Sequence, residues 1–189
     1  VMWDQNGGQA GYYNPPISAE KVAQAHLGFF QGTPVDAYVC ALGNNCGYTT
    51  DYPTKVRGME FIVDRLKNPD TVMGGVALWK HAENVRQLWE QGIDPLKVQV
   101  DEAHRIGIDF WLRLSMNDWH HSDDEGNVFR LIGSDFYADH PEYQIGRDGV
   151  GPRGEPISAY FQDFAHDEVR RLRIETAVEA CERYDVTGF

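Results

Sequence analysis

Positive charge is scarce in this chain: 17 lysines and arginines stand against 29 aspartates and glutamates, a formal net charge of −12 over 189 residues. That deficit speaks against a binder of the phosphate backbone, which needs a basic footprint, so no nucleic-acid partner is expected. Long apolar runs are missing too. Nothing approaches the roughly 18 to 20 residues that cross a bilayer, so no membrane partner is expected either. No basic start leads into an apolar core of the signal-peptide kind. Cysteine is rare: Cys40, Cys46 and Cys181 fit no zinc spacing and leave at least one thiol unpaired. No G-x-G-x-x-G follows the first apolar segment; "NGGQAG" comes nearest, with the wrong spacing and no helix directly behind it. The chain offers no nucleophilic serine with its base, no phosphate cradle, no internal repeat and no low-complexity tract.

What is present suits a globular core. Hydrophobic residues make up 42% of the chain, with nine tyrosines, nine phenylalanines and five tryptophans. Aromatic rings stack well on sugar faces, although most of these belong in a core. Four segments read as strands: Val1 to Asp4, Asp36 to Leu42, Ile108 to Met116 and Val186 to Phe189. The chain thus opens and closes in strands, and the expectation is a piece of a longer polypeptide. Between the strands lie helical patterns. "SAEKVAQAHLGFF" has Ser18 as its cap, "GGVALWKHAENVRQLWEQG" closes at Gly92, and "DPLKVQVDEAHRIG" opens with Asp94 and Pro95 and stops at Gly107. In "HDEVRRLRIETAVEACERYD" the expected buried stripe is Val169, Leu172, Ala177, Val178 and Cys181.

Alternating strands and helices imply an α/β fold with a parallel sheet, either a doubly wound open sheet or a (β/α)8 barrel. Long loops follow the second and third strands. Loops of that length in a compact domain usually carry function, and in a barrel they rise on the face where active sites sit.

The richest of them begins in "RLSMNDWHH", residues 113 to 121. Side chains alternate along a strand, so Phe110, Leu112, Leu114 and Met116 share one face, while Trp111, Arg113, Ser115 and Asn117 share the other. The first set is expected against helices. Arg113 on the second face needs a partner: an acid from another strand, or a group on a substrate. Asn117, Asp118 and His120 then stand at the strand's end, where Asp118 and His120 can act as general acid or base or bind hydroxyls. A rival reading is a metal site drawn from Asp118, His120, His121, Asp123 and Asp124, although the run has no recognised ligand spacing. Asp4 after the first strand and Asn44 after the second carry the same polar character, so three successive strand ends present amides and acids. His26, His81 and His104 lie in helical patterns and read as surface or interhelical. His140, among the aromatics of "DFYADHPEY", could make one wall of a cleft.

"GIDPLKVQVDEAHRIG", "GIDFWLRLSMNDWHH", "DHPEYQIG" and "FAHDEVRRLRIETAVEACERYDVTGF" together resemble the glycoside-hydrolase-like TIM barrels similar to family ten glycosyl hydrolases. The resemblance is clearest over residues 92 to 189. It implies that residues 1 to 189 are the N-terminal half of one (β/α)8 barrel, about four β/α units ending at the start of the fourth strand. It also implies an extracytoplasmic setting. The remaining strands would come from the same longer chain or from a partner. The implied activity is hydrolysis of a polysaccharide or oligosaccharide in a cleft at the C-terminal strand ends, with carbohydrate as substrate and no cofactor or metal. Asp118 is the acid put forward for proton transfer. Asp4, Asn44, Arg113, Asn117, His120 and His140 are put forward for substrate binding. The main catalytic carboxylates are expected past residue 189, because "YDVTGF" stops short of the acid that the resemblance implies. The alternatives are a barrel that binds carbohydrate without cleaving it and a metal-dependent hydrolase using the Asp118 to Asp124 cluster.

Overall fold

The computed structural model describes residues 1–5, 9–43, 48–67, 76–117, 135–146 and 161–189. In chain order its strands are β1 (Met2–Gln5), β2 (Ala37–Ala41), β3 (Thr49–Thr50), β4 (Glu60–Phe61) and β5 (Asp109–Arg113). Its α-helices are α1 (Ala19–Leu27), α2 (Ile62–Leu66), α3 (Val76–Glu90), α4 (Pro95–Ile106), α5 (Asp135–Asp139) and α6 (Asp167–Arg183). No helix among the described residues is long and apolar enough to cross a membrane.

Local sequence accounts for the longer helices. Ser18 Oγ accepts a hydrogen bond from Lys21 N at 3.1 Å and so caps α1. Asp94 Oδ1 accepts from Leu96 N at 3.0 Å and Lys97 N at 3.1 Å, Pro95 occupies the first turn of α4, and Gly107 ends it.

The fold is mixed α/β. β1, β2 and β5 form a parallel sheet in that order, and β3 pairs with β4 in a second, two-stranded parallel sheet. The register aligns Asp4 with Val39 and Val39 with Trp111, and puts Ala41 beside Arg113. The fourth strand expected over Val186 to Phe189 is reduced to one parallel bridge, Trp111 with Gly188, held by Thr187 N to Phe110 O at 2.7 Å and Leu112 N to Gly188 O at 2.9 Å. This segment still lies on the far side of β5 from β2. Each successive strand has therefore been added to the same edge. Among the described residues no closed barrel is formed.

One face of the main sheet is covered. Tyr38, Cys40, Phe110 and Leu112 pack with Leu27 of α1, with Leu96, Val100 and Ala103 of α4, and with Ala180 of α6 in one core. The Trp3 ring meets Phe30 edge-on at 5.6 Å on the same side. The alternation expected for Phe110 and Leu112 holds, and both are buried. Met116, placed with them by the same alternation, is 51% exposed, because β5 ends at Arg113 and the period ends with it. The opposite face carries Asp4, Val39, Ala41, Trp111 and Arg113.

Helix α6 departs from the expected stripe. Its buried side chains are Val169, Leu172, Arg173, Thr176 and Ala180, whereas Val178 and Cys181 are exposed. Polar members enter the stripe because they find partners: Arg173 Nη2 donates to Gln162 Oε1 at 2.9 Å, and Thr176 Oγ1 donates to Leu172 O at 2.7 Å. Two histidines expected on the surface or between helices are also buried, His26 at 5% and His81 at 3% exposure.

Candidate functional site

The sheet face away from that core gathers polar groups at the C-terminal ends of its strands. Arg113 is the last residue of β5 and Asp4 lies near the end of β1, with β2 between them. The guanidinium crosses β2 because its register partner there is Ala41, whose methyl group leaves the passage open. Arg113 Nε donates to Asp4 Oδ1 at 2.8 Å, and Nη1 lies 3.4 Å from Ser115 Oγ. Arg113 therefore takes the first of its two expected partners, an acid from another strand. The pair is partly open, at 27% exposure for Arg113 and 60% for Asp4, so its hydrogen-bonding groups remain within reach of a ligand.

Below Arg113, on the same face, lies Trp111. Its indole sits so close to Gly188 that a Cβ there would stand 2.4 Å from the ring. The glycine therefore lets the fourth segment approach β5 while the tryptophan lies across it. This half-buried aromatic residue and the ion pair share one sheet face, a combination suited to the apolar face and the hydroxyls of a sugar. Residue type alone left Trp111 among the core aromatics. The alternation that put it on Arg113's face was the signal that could have selected it.

Asn117, put forward for substrate binding, is engaged with backbone. Its Oδ1 accepts from Gln162 N at 2.8 Å and its Nδ2 donates to Gln162 O at 3.1 Å, a two-point clamp on backbone. Gln162 is buried and accepts from Arg173, whose guanidinium lies 4.6 Å from the centre of the Tyr48 ring. Burial pulls the Arg173 pKa down, and the Tyr48 ring and hydroxyl oppose that shift. Asn117 thus positions the returning chain at the strand end.

A second buried cation holds the neighbouring segment. Arg65, 4% exposed, pairs with Glu60 and donates from Nη1 to Asp135 Oδ1 at 3.1 Å, while Asp135 N donates to Glu60 Oε1 at 3.0 Å. Burial raises the Glu60 pKa, and the backbone N–H of Asp135 and the charge of Arg65 oppose the rise. This triad ties α5 to β4 and α2. His140 follows α5, with its Nδ1 2.7 Å from Glu142 Oε1 and its ring stacked on Tyr143. Its contacts are with this aromatic segment, apart from Asp4 and Arg113.

Asn44, Asp118 and His120 lie outside the described residues, as does the whole Asp118 to Asp124 run considered as a metal site. Among the described residues, no group of three or more His, Cys, Asp or Glu could hold a metal ion.

One polar cluster escaped sequence reasoning. Behind β2, His26 Nδ1 lies 2.9 Å from Tyr38 Oη, His81 Nε2 lies 2.8 Å from Asp51 Oδ1, and Cys40 Sγ lies 3.5 Å from Gln99 Oε1. His26, Cys40, Asp51, His81 and Gln99 line a cavity of about 20 Å3, room for about one water. Burial pushes the Cys40 thiol up to about 12, which makes it a poor nucleophile.

The chain matches no protein-family model and no curated protein, so what its site does must be argued from these residues.

Proposed function

We propose that this chain is the N-terminal half of a (β/α)8 barrel whose whole is a glycoside hydrolase acting on a polysaccharide or oligosaccharide. The observation that carries the reading is the Asp4–Arg113 pair on the same sheet face as Trp111, away from the helical core and at the C-terminal strand ends. Active sites of (β/α)8 barrels sit at those ends. The same-edge addition of strands supports a singly wound sheet over a doubly wound one, in which the order reverses.

In this reading Trp111 takes a pyranose face, while Asp4 and Arg113 accept from and donate to its hydroxyls. Asn117 holds the strand end in place. Asp118, the next residue, is the proposed proton donor to the glycosidic oxygen, with His120 and Asn44 as further sugar contacts. Cleavage needs a second carboxylate as nucleophile or base, and the resemblance in sequence puts that group past residue 189. Proton transfer from a positioned acid contributes on the order of 10²- to 10⁴-fold to the rate.

The test is release of reducing ends from a panel of soluble polysaccharides by the full-length protein and by Asp118→Asn. The expected result is cleavage of at least one glycan and a loss of about 100-fold or more in the variant. Full activity in Asp118→Asn removes that residue from the mechanism. Retained glycan binding with no reducing ends released replaces hydrolysis with non-catalytic carbohydrate binding. That alternative is supported by Asp4 already being engaged by Arg113.

A further inference from the structure

Away from the strand ends, a concavity of about 410 Å3 opens between the segment around Arg57, the α5 segment and the first half of α6. Its floor is apolar. Phe136 and Leu172 press on the backbone at Gly58, where φ is +96° and a Cβ would stand 3.1 Å from the phenyl ring and 3.2 Å from Leu172 Cδ1. Only glycine fits that conformation and that space, so the floor is set by the backbone itself. One wall is His140 and Tyr143, ring centroids 4.8 Å apart and 20° from parallel. The wall is fixed from behind by Asp163 N donating to Tyr143 O at 2.7 Å and Ile145 N donating to Phe161 O at 2.8 Å.

Around the rim stand two cations, Arg57 and Arg171, and two anions, Glu168 and Glu175. Arg171 Nε approaches Glu175 Oε1 at 3.8 Å, too long for a tight pair. The rim charges cancel, so the cleft selects neither anions nor cations. Guanidinium donors alternating with carboxylate acceptors match vicinal hydroxyls instead, and an aromatic wall matches the C–H face of a pyranose ring. The volume lies within the roughly 300–1,000 Å3 of small-ligand sites. None of Asp4, Trp111, Arg113 or Asn117 lines it.

We propose that this cleft is a second glycan-binding site, taking a short stretch of neutral pyranose units apart from the strand-end site. It stands on its own residues and does not require that the protein cleave what it holds.

The experiment is isothermal titration of the full-length protein with cellohexaose, xylohexaose, mannohexaose and chitohexaose, repeated on Tyr143→Ala, Arg57→Met and Lys97→Met, an exposed position on α4 outside both sites, after each is checked for native circular dichroism. The expected result is binding of at least one hexaose that weakens about tenfold in Tyr143→Ala and severalfold in Arg57→Met, and is unchanged in Lys97→Met. Arg57 is exposed, so its replacement reads the cleft even where loss of the Tyr143 ring disturbs the fold. The proposal is overturned by no binding of any hexaose to the wild type, by indifference to both cleft variants, or by equal loss in all three. Binding that follows the cleft variants in a protein releasing no reducing ends leaves this site standing and removes the hydrolase.

Discussion

Acid should loosen this protein through His26. The imidazole sits on α1 at 5% exposure against Tyr38, with His81 nearby and Asp51 beyond it. Burial first, then repulsion from His81, pulls its pKa from 6.5 down to about 4, with Asp51 opposing. The folded state therefore keeps His26 neutral where the unfolded chain binds a proton. Its contribution is fully present above pH 6.5, declines as the pH falls from there towards 4, and is gone below it. A pKa that moves from 6.5 to about 4 corresponds to about 3 kcal/mol, a large part of a typical domain's stability. Carboxylates also titrate in acid, so the informative quantity is the difference between wild type and His26→Gln, which can still reach the tyrosine hydroxyl. Urea denaturation followed by tryptophan fluorescence at intervals from pH 7.5 to 4 measures it. His26→Gln should be less stable at neutral pH, and the gap should close by about 3 kcal/mol by pH 4. Parallel stability curves for the two proteins across that range would refute the argument, since they would mean that His26 titrates alike folded and unfolded.

Other substitutions separate core, cap and site. Phe110→Ala, at a fully buried position between the helices and the sheet, should cost about 3–5 kcal/mol in the same urea assay. Asp94→Ala removes the cap of α4 and also the partner that Tyr184 Oη donates to at 2.9 Å, so about 2 kcal/mol or more should be lost, seen as a fall in melting temperature. Asp4→Asn weakens a partly exposed ion pair and should change stability by less than about 1 kcal/mol, so any large fall in glycan binding that accompanies it reports on the site.

Some of this was decided within a few residues along the chain. Ser18 and Asp94 cap helices by reaching two or three residues ahead, and the two-residue alternation of 110 to 113 follows from backbone geometry, so α1, α4 and the faces of β5 were legible in the sequence. The α/β class with parallel strands follows from the same local signals. The two-residue strands β3 and β4 were not legible, because two residues carry no period. Nor was the burial of His26 and Arg173, since a polar residue enters a core only when a partner arrives there, and these partners, Tyr38 and Gln162, come from outside their own helices. The candidate site belongs to this second kind. Alternation along the chain aimed Arg113 at the open face, but Asp4 is 109 residues away in sequence, and Gln162 meets Asn117 across 45. Local sequence determined which side chains each strand presents. Only the parallel pairing of β1, β2 and β5, with an alanine where the arginine must cross, decided which of them meet.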